Sequence, residues 1–342
     1  MKGWKGIAVV SAAIAFAIGG IRQFSVAQEG RAKLVDLARR EGKVVAYGTI
    51  TLDAFRVIQR IFESRYGMPV EYWRAAATQV YDRVLAEHRA GRVMFDVVTA
   101  NRGPMLLLKA QGVFQPYVSP SYEDYPVTSK DREGILSPAY RMTVVGILYN
   151  TRLVSPSEAP RTLLDLVDRR WRRQIVMPDP NLHTTTLTWL VNLKRVLGGQ
   201  WRGYVEGLAT QVGALVESFL PAAERVIRGE FPIGISYVHY TYLFREAPLE
   251  YVRTGPLLAD AHVIGLAKHA PHPAAGKLLV DLMTSRAAAH VWAQSGEFPM
   301  FPGIYPPVKD PDKLKILLME DLSERAFIEA KRELGQLFVV RQ

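Results

Sequence analysis

The 342-residue chain has no cysteine. That absence excludes disulfides, thiolate zinc sites, iron–sulfur clusters, cysteine nucleophiles and a cysteine-linked lipid anchor. It also lacks the G-x-S-x-G, G-x-G-x-x-G, Walker A and H-E-x-x-H patterns, so a hydrolase or dinucleotide-dependent oxidoreductase has no recognisable site. No stretch beyond the N-terminus is long and apolar enough to span a bilayer. Basic residues are in excess, with a formal charge of +10, yet only Arg169-Arg170-Trp171-Arg172-Arg173 is dense. This cluster reads as a solvated connection on a second lobe, so nucleic acid is not an expected partner. With 49% hydrophobic and 22% charged residues, the composition is globular, and the length suits two domains.

The N-terminus reads as a secretory signal. Lys2 and Lys5 form a positive start, Gly6 to Ile21 is uncharged and apolar, and Ser25-Val26-Ala27 offers small residues for cleavage after Ala27. Cleavage would remove Lys2, Lys5 and Arg22, reducing the charge from +10 to +7. The mature product is expected to be exported, soluble and periplasmic; Arg22 keeps open an uncleaved anchor.

Strand and helix signals then alternate. Val44–Tyr47, Val70–Trp73 and Phe95–Val98 read as strands, each followed by a small polar loop and a helix. Three βα units imply a parallel sheet with right-handed crossovers. Pro116–Pro138 reads as surface connection and Thr143–Tyr149 as another strand. A second set follows: strand Gln174–Met177, a helix over Thr184–Leu197, strand Ile233–Tyr237, strand His262–Ala267 and helix Ala274–Met283. The tail from Asp312 to Leu337 has helical spacing. The fold class expected is α/β with two lobes, each a mainly parallel sheet flanked by helices.

Ligands of open α/β sheets bind beyond the carboxyl ends of the strands, where helix N-termini present free N–H groups. On that ground the candidate ligand-binding residues are Thr49, Thr51, Arg74, Thr78 and Asn101 from the first half, and His183, Thr184, Thr185, Tyr237, His239 and Tyr240 from the second. Hydroxyl, amide and guanidinium donors in this pattern suit a small anion. Arg102 adjoins one of the loops as a further cation. Any of the threonines also reads as a plain helix cap, and of Tyr240 and Tyr242 only one is expected to face a cleft. Trp171, Trp189, Trp201 and Trp292 read as core, Asp179 as a structural turn residue, and His269 and His272 as solvent-facing.

Several segments together resemble the extracytoplasmic solute-binding proteins of ABC importers, in their ferric-iron-type branch. They are Gly42-Lys43-Val44-Val45-Ala46-Tyr47, Phe62-Glu63-Ser64-Arg65-Tyr66-Gly67, and Glu87-His88-Arg89-Ala90-Gly91-Arg92 with Phe95-Asp96-Val97. Leu148-Tyr149-Asn150-Thr151, Ala270-Pro271-His272-Pro273-Ala274-Ala275, Asp281-Leu282-Met283-Thr284-Ser285 and Ser295-Gly296-Glu297-Phe298-Pro299 follow in the same order. The resemblance implies a type II periplasmic-binding fold with a hinge. Its lobes would be residues 28–141 plus 258–302 and residues 142–257 plus 303–342. It implies binding without chemistry or cofactor, an ABC permease as partner and a monomer; presentation to a membrane sensor is the alternative. Iron-binding relatives use a first-loop His, a Glu after the third strand and adjacent tyrosines. Here Thr49 and Thr51 and then Asn101 stand at the first two positions, and the tyrosine pair falls near Val238-His239, with Tyr237, Tyr240 and Tyr242 nearby but not adjacent. No metal is therefore expected, with Tyr237 and Tyr240 the ligands if iron is bound; an anionic organic, phosphonate or phosphate-containing solute fits better.

Overall fold

The computed structural model describes residues 28–253 and 255–339. The signal segment lies outside them. After α1 (28–41), the first lobe runs β1 (Val44–Gly48), α2 (Leu52–Tyr66), β2 (Val70–Arg74), α3 (Ala77–Arg89), β3 (Val97–Asn101), α4 (Arg102–Ala110) and β4 (Phe114–Gln115). The crossing strand β5 (Arg141–Asn150) leads to β6 (Ile175–Pro178), α5 (Thr184–Asn192), α6 (Lys194–Leu197), α7 (Trp201–Gln211), β7 (Val212–Val216), α8 (Phe219–Ile227), β8 (Ile233–Tyr237), α9 (Tyr240–Leu243) and β9 (Leu249–Tyr251). The chain returns through β10 (Leu257–Ala267) to α10 (Pro273–Met283), α11 (Arg286–Gln294) and β11 (Phe298–Pro299), and ends with β12 (Ile316–Leu318) and α12 (Glu324–Gly335).

The main sheet has the order β2-β1-β3-β10-β5-β8-β6-β7. β1, β2 and β3 are mutually parallel, as the three βα units require, and β6 is parallel to both β7 and β8. Between these groups run the antiparallel strands β10 and β5. β5 pairs with β10 through its first half and with β8 through its second, passing from one lobe to the other. One apolar core gathers residues of β5–β8, α5, α7 and α8; two others gather residues around β1–β3, α2, α3 and α10. Trp171, Trp189 and Trp292 are buried, as expected of core tryptophans.

Several expectations are corrected. The helix over 184–197 breaks at Leu193, and the third strand starts at Val97 rather than Phe95. Leu314, Ile316 and Leu317 do not join a tail helix. Ile316–Leu318 is a strand pairing in parallel with Leu257–Ala259, and helix begins only at Glu324. A short apolar run fits either period, and here the open edge of β10 takes it as strand. His272 does not face solvent. Its Nδ1 and Asp96 Oδ2 lie 2.9 Å apart, and its backbone N–H also donates to Asp96, pinning the start of α10 to the buried Asp96.

Candidate functional site

The parallel strands of both lobes end on one cleft of about 190 Å³. Thr49 and Thr51 follow β1, Arg74 ends β2, Thr78 opens α3 and Asn101 ends β3. From the other lobe come His183 and Thr184 before and within α5, Tyr237 ending β8, and His239 and Tyr240 just after it. All of these line the cleft. Thr185 does not; its hydroxyl turns under the floor and donates to Asp260 Oδ2 at 2.7 Å. Arg102 is also drawn elsewhere, to Asp321 at 3.0 Å. Tyr240 lines the cleft and Tyr242 does not.

Local interactions fix the loops. The Tyr72 hydroxyl donates to the Ile50 carbonyl at 2.9 Å, and Thr49 N–H donates to Thr99 O at 3.1 Å. Asp179 shapes the turn before α5: its side chain accepts from Asn181 N–H at 2.8 Å and its carbonyl from His183 N–H at 2.8 Å. The Ser236 hydroxyl donates to Phe219 O at 2.6 Å, holding the start of α8 against β8. Helices α2, α3, α5 and α8 therefore all begin at the cleft. The residues preceding them, Thr51, Ala76, His183 and Ser218, accept no side-chain cap bond, which leaves first-turn N–H groups without that partner.

Sequence reasoning missed several lining residues: Arg141 and Thr143 on β5, Glu217 and Ser218 before α8, His262 on β10, and Glu297 before β11. Arg141 stands opposite His262 in the β5–β10 register and opposite Pro299 in the β5–β11 register. It forms a buried ion pair with Glu297, and its Nη2 lies 3.1 Å from His262 Nδ1. Only the long-range pairing of these strands assembles the group.

Below the floor, Asp260 Oδ2 also accepts from Asn101 Nδ2 at 2.7 Å, so one buried carboxylate binds the end of β3 and the start of α5. Burial pushes its pKa up to about 6 against the pull of those hydrogen bonds. Burial alone lowers the His183 pKa to about 4. Burial also brings His239 to about 4, with Glu297 opposing the fall and Arg141 adding to it. Both imidazoles are neutral at pH 7. Tyr237 stacks on Phe219, with ring centroids 4.0 Å apart. Burial raises the pKa of both Tyr237 and Tyr240, holding them as phenols. Four lining atoms are buried without a hydrogen-bond partner: Thr49 Oγ1, Arg141 Nε, His183 Nδ1 and His239 Nδ1. Buried polar atoms are normally paired, so these four stand out. Among the described residues no group of three or more His, Asp or Glu is placed to hold a metal ion.

Residues 94–325 match the family model of the bacterial extracellular solute-binding proteins. A probable ABC transporter periplasmic-binding protein of Sinorhizobium fredii is 30% identical over 168 residues, 45% of this chain and 46% of that relative, so the alignment spans under half of its length. The periplasmic binding protein AfuA of Actinobacillus pleuropneumoniae, solved with fructose 6-phosphate, superposes with a TM-score of 0.72 at 20% identity, covering 87% of this chain and 96% of AfuA. Iron-bound HitA of Pseudomonas aeruginosa gives 0.72 at 18% identity over 86% and 98%. At these identities both share the fold alone. The matched family and these neighbours bind solutes and are not enzymes. The family segment runs from just before β3 through both crossing strands to the start of α12, and the chain belongs to the bacterial extracellular solute-binding proteins.

Proposed function

We propose that this chain captures a small organic anion for an ABC importer on the outer side of the cytoplasmic membrane. Residues 1–27 direct export and are cleaved after Ala27. The lobes are residues 28–141 plus 258–302 and residues 142–257 plus 303–342. They close over the solute by bending at β5 and β10, and the closed form is what the permease receives.

One observation carries the ligand class: four helix N-termini converge on a cleft that also holds four buried, unpartnered polar atoms. Helix N-termini favour negative charge, and neutral imidazoles and hydroxyls complete the coordination of oxyanion oxygens. A carboxylate, phosphonate or phosphate ester meets these requirements. A ferric ion is served less well, because it requires ionised hard donors, whereas Tyr237 and Tyr240 are held as phenols. Isothermal titration of ligand-freed protein tests the reading. Small organic carboxylates, phosphonates and phosphate esters are expected to include at least one that gives saturable heat. Heat from ferric salts alone would overturn it.

A further inference from the structure

Arg141 sits at the head of β5 with its side chain 3% exposed. A guanidinium has five N–H donors in a fork, and its usual grip on an oxyanion uses two parallel ones. Here Nη1 donates to Glu297, and Nη2 meets Nδ1 of His262 at 3.1 Å, which makes that imidazole nitrogen the acceptor. Trp292 and Tyr140 rings lie near the guanidinium at 5.2 and 5.8 Å from its carbon to their centroids. Only Nε is buried without a partner. Glu297 and His262 thus take one N–H from each Nη group, and the Nε–H and the second hydrogen on each Nη are left over.

Charge follows the same logic. Glu297 cancels the charge of Arg141. The remaining ionised lining groups are Arg74 on the first lobe and Glu217 on the second, one of each sign and both exposed. The cleft thus attracts anions through oriented neutral donors and helix N-termini, with no surplus of formal positive charge.

We infer that Glu297 sets the charge of the solute by neutralising Arg141 at the cleft, so that the cleft selects a singly charged head group over a doubly charged one. Carboxylates, sulfonates and phosphodiesters form the favoured class. The inference rests on the anion reading above, and it names which anions.

Matched head groups test it. Glycerol 3-phosphate, fructose 6-phosphate and phosphoethanolamine, each doubly charged at the phosphate at pH 7.5, are titrated calorimetrically beside their sulfate esters, whose heads carry one charge. Wild-type protein is expected to bind sulfates at least as tightly as phosphates. Glu297→Gln keeps an acceptor oxygen beside Arg141 but removes the charge that offsets it, adding a net positive charge to the cleft, so the phosphate-to-sulfate affinity ratio should rise at least tenfold. Glu297→Asp, which keeps the charge, should leave that ratio within about twofold of wild type, and thermal melts check that both variants fold. An unchanged ratio in a folded Glu297→Gln protein overturns the inference while leaving the anion reading intact. If no ester or carboxylate binds wild-type protein and a ferric salt does, the anion reading itself falls and takes this inference with it.

Discussion

Asp260 carries a pH signature that can be isolated from the rest of the molecule. Its native pKa is pushed up to about 6, above the ordinary carboxylate value. Between about pH 4 and pH 6 the native state therefore holds a proton that the unfolded chain has lost. Its contribution to stability falls as pH rises through that window, and above pH 6 the buried charge is a standing cost. Asp260→Asn should be more stable than wild type at pH 7.5, by roughly 1–3 kcal/mol, with the advantage gone near pH 4. Paired thermal melts at the two pH values check this; an equal difference at both would contradict it. His183 and His239 work in the opposite sense. With native pKa values near 4, each contributes stability that is fully present above about pH 6.5 and is lost as pH falls toward 4. His183→Asn should therefore lessen the loss of stability between pH 7 and pH 4.5, measured as the difference in melting temperature; no change in that slope would count against a neutral buried imidazole. Which residues were legible follows from where they sit. Thr49, Thr78, Asn101 and His183 lie in loops between strand and helix, where the α/β layout itself predicts ligand contact. Arg141, His262 and Glu297 lie on or beside crossing strands. Nothing local distinguishes them from core-strand residues, and only the pairing of segments more than a hundred residues apart brings them together.

At the scale of elements, the loop after β1 depends on a close approach. A Cβ on Gly48 would lie 2.6 Å from the Thr99 carbonyl oxygen and 3.0 Å from the Tyr72 hydroxyl. Neither the β3 backbone nor the bond that Tyr72 makes to Ile50 O can yield cheaply. Gly48→Ala should destabilise the fold by about 1–3 kcal/mol and weaken ligand binding at least tenfold by displacing Thr49 and Thr51. Chemical denaturation and calorimetry read the two effects; a variant with unchanged stability would show that the β1–β3 approach is slack. The first lobe was legible because short β-rich runs alternate with amphipathic helices at regular spacing. The second was less so. The segment from Trp201 to Ile227 holds a helix, a strand and another helix, yet its strand β7, Val212–Val216, is a sheet-edge strand with one fully buried residue and no alternation of burial. Strand β12 was misread as helix because its identity is set by β10, a partner lying 59 positions back in the register of Leu257 with Ile316.

For the whole molecule, two lobes joined through β5 and β10 face each other across a polar cleft, and the proposed function has them trade an open state for a closed one. Asp260 sits at the join, binding Asn101 of the first lobe and Thr185 of the second. A solute that binds only the folded, closed form raises stability by about 2.7 kcal/mol at a hundred times its dissociation constant, and small-angle scattering should register a smaller radius of gyration on binding. An unchanged radius with saturable binding would contradict hinge closure. The central claim, that the cleft holds a small organic anion, is tested most directly by native mass spectrometry of the exported protein purified without unfolding. The expected spectrum shows a bound species of small organic mass that is lost on gentle activation, with a solution that has no visible absorption. A mass increment of one iron atom accompanied by a tyrosinate-to-iron absorption band would contradict the account.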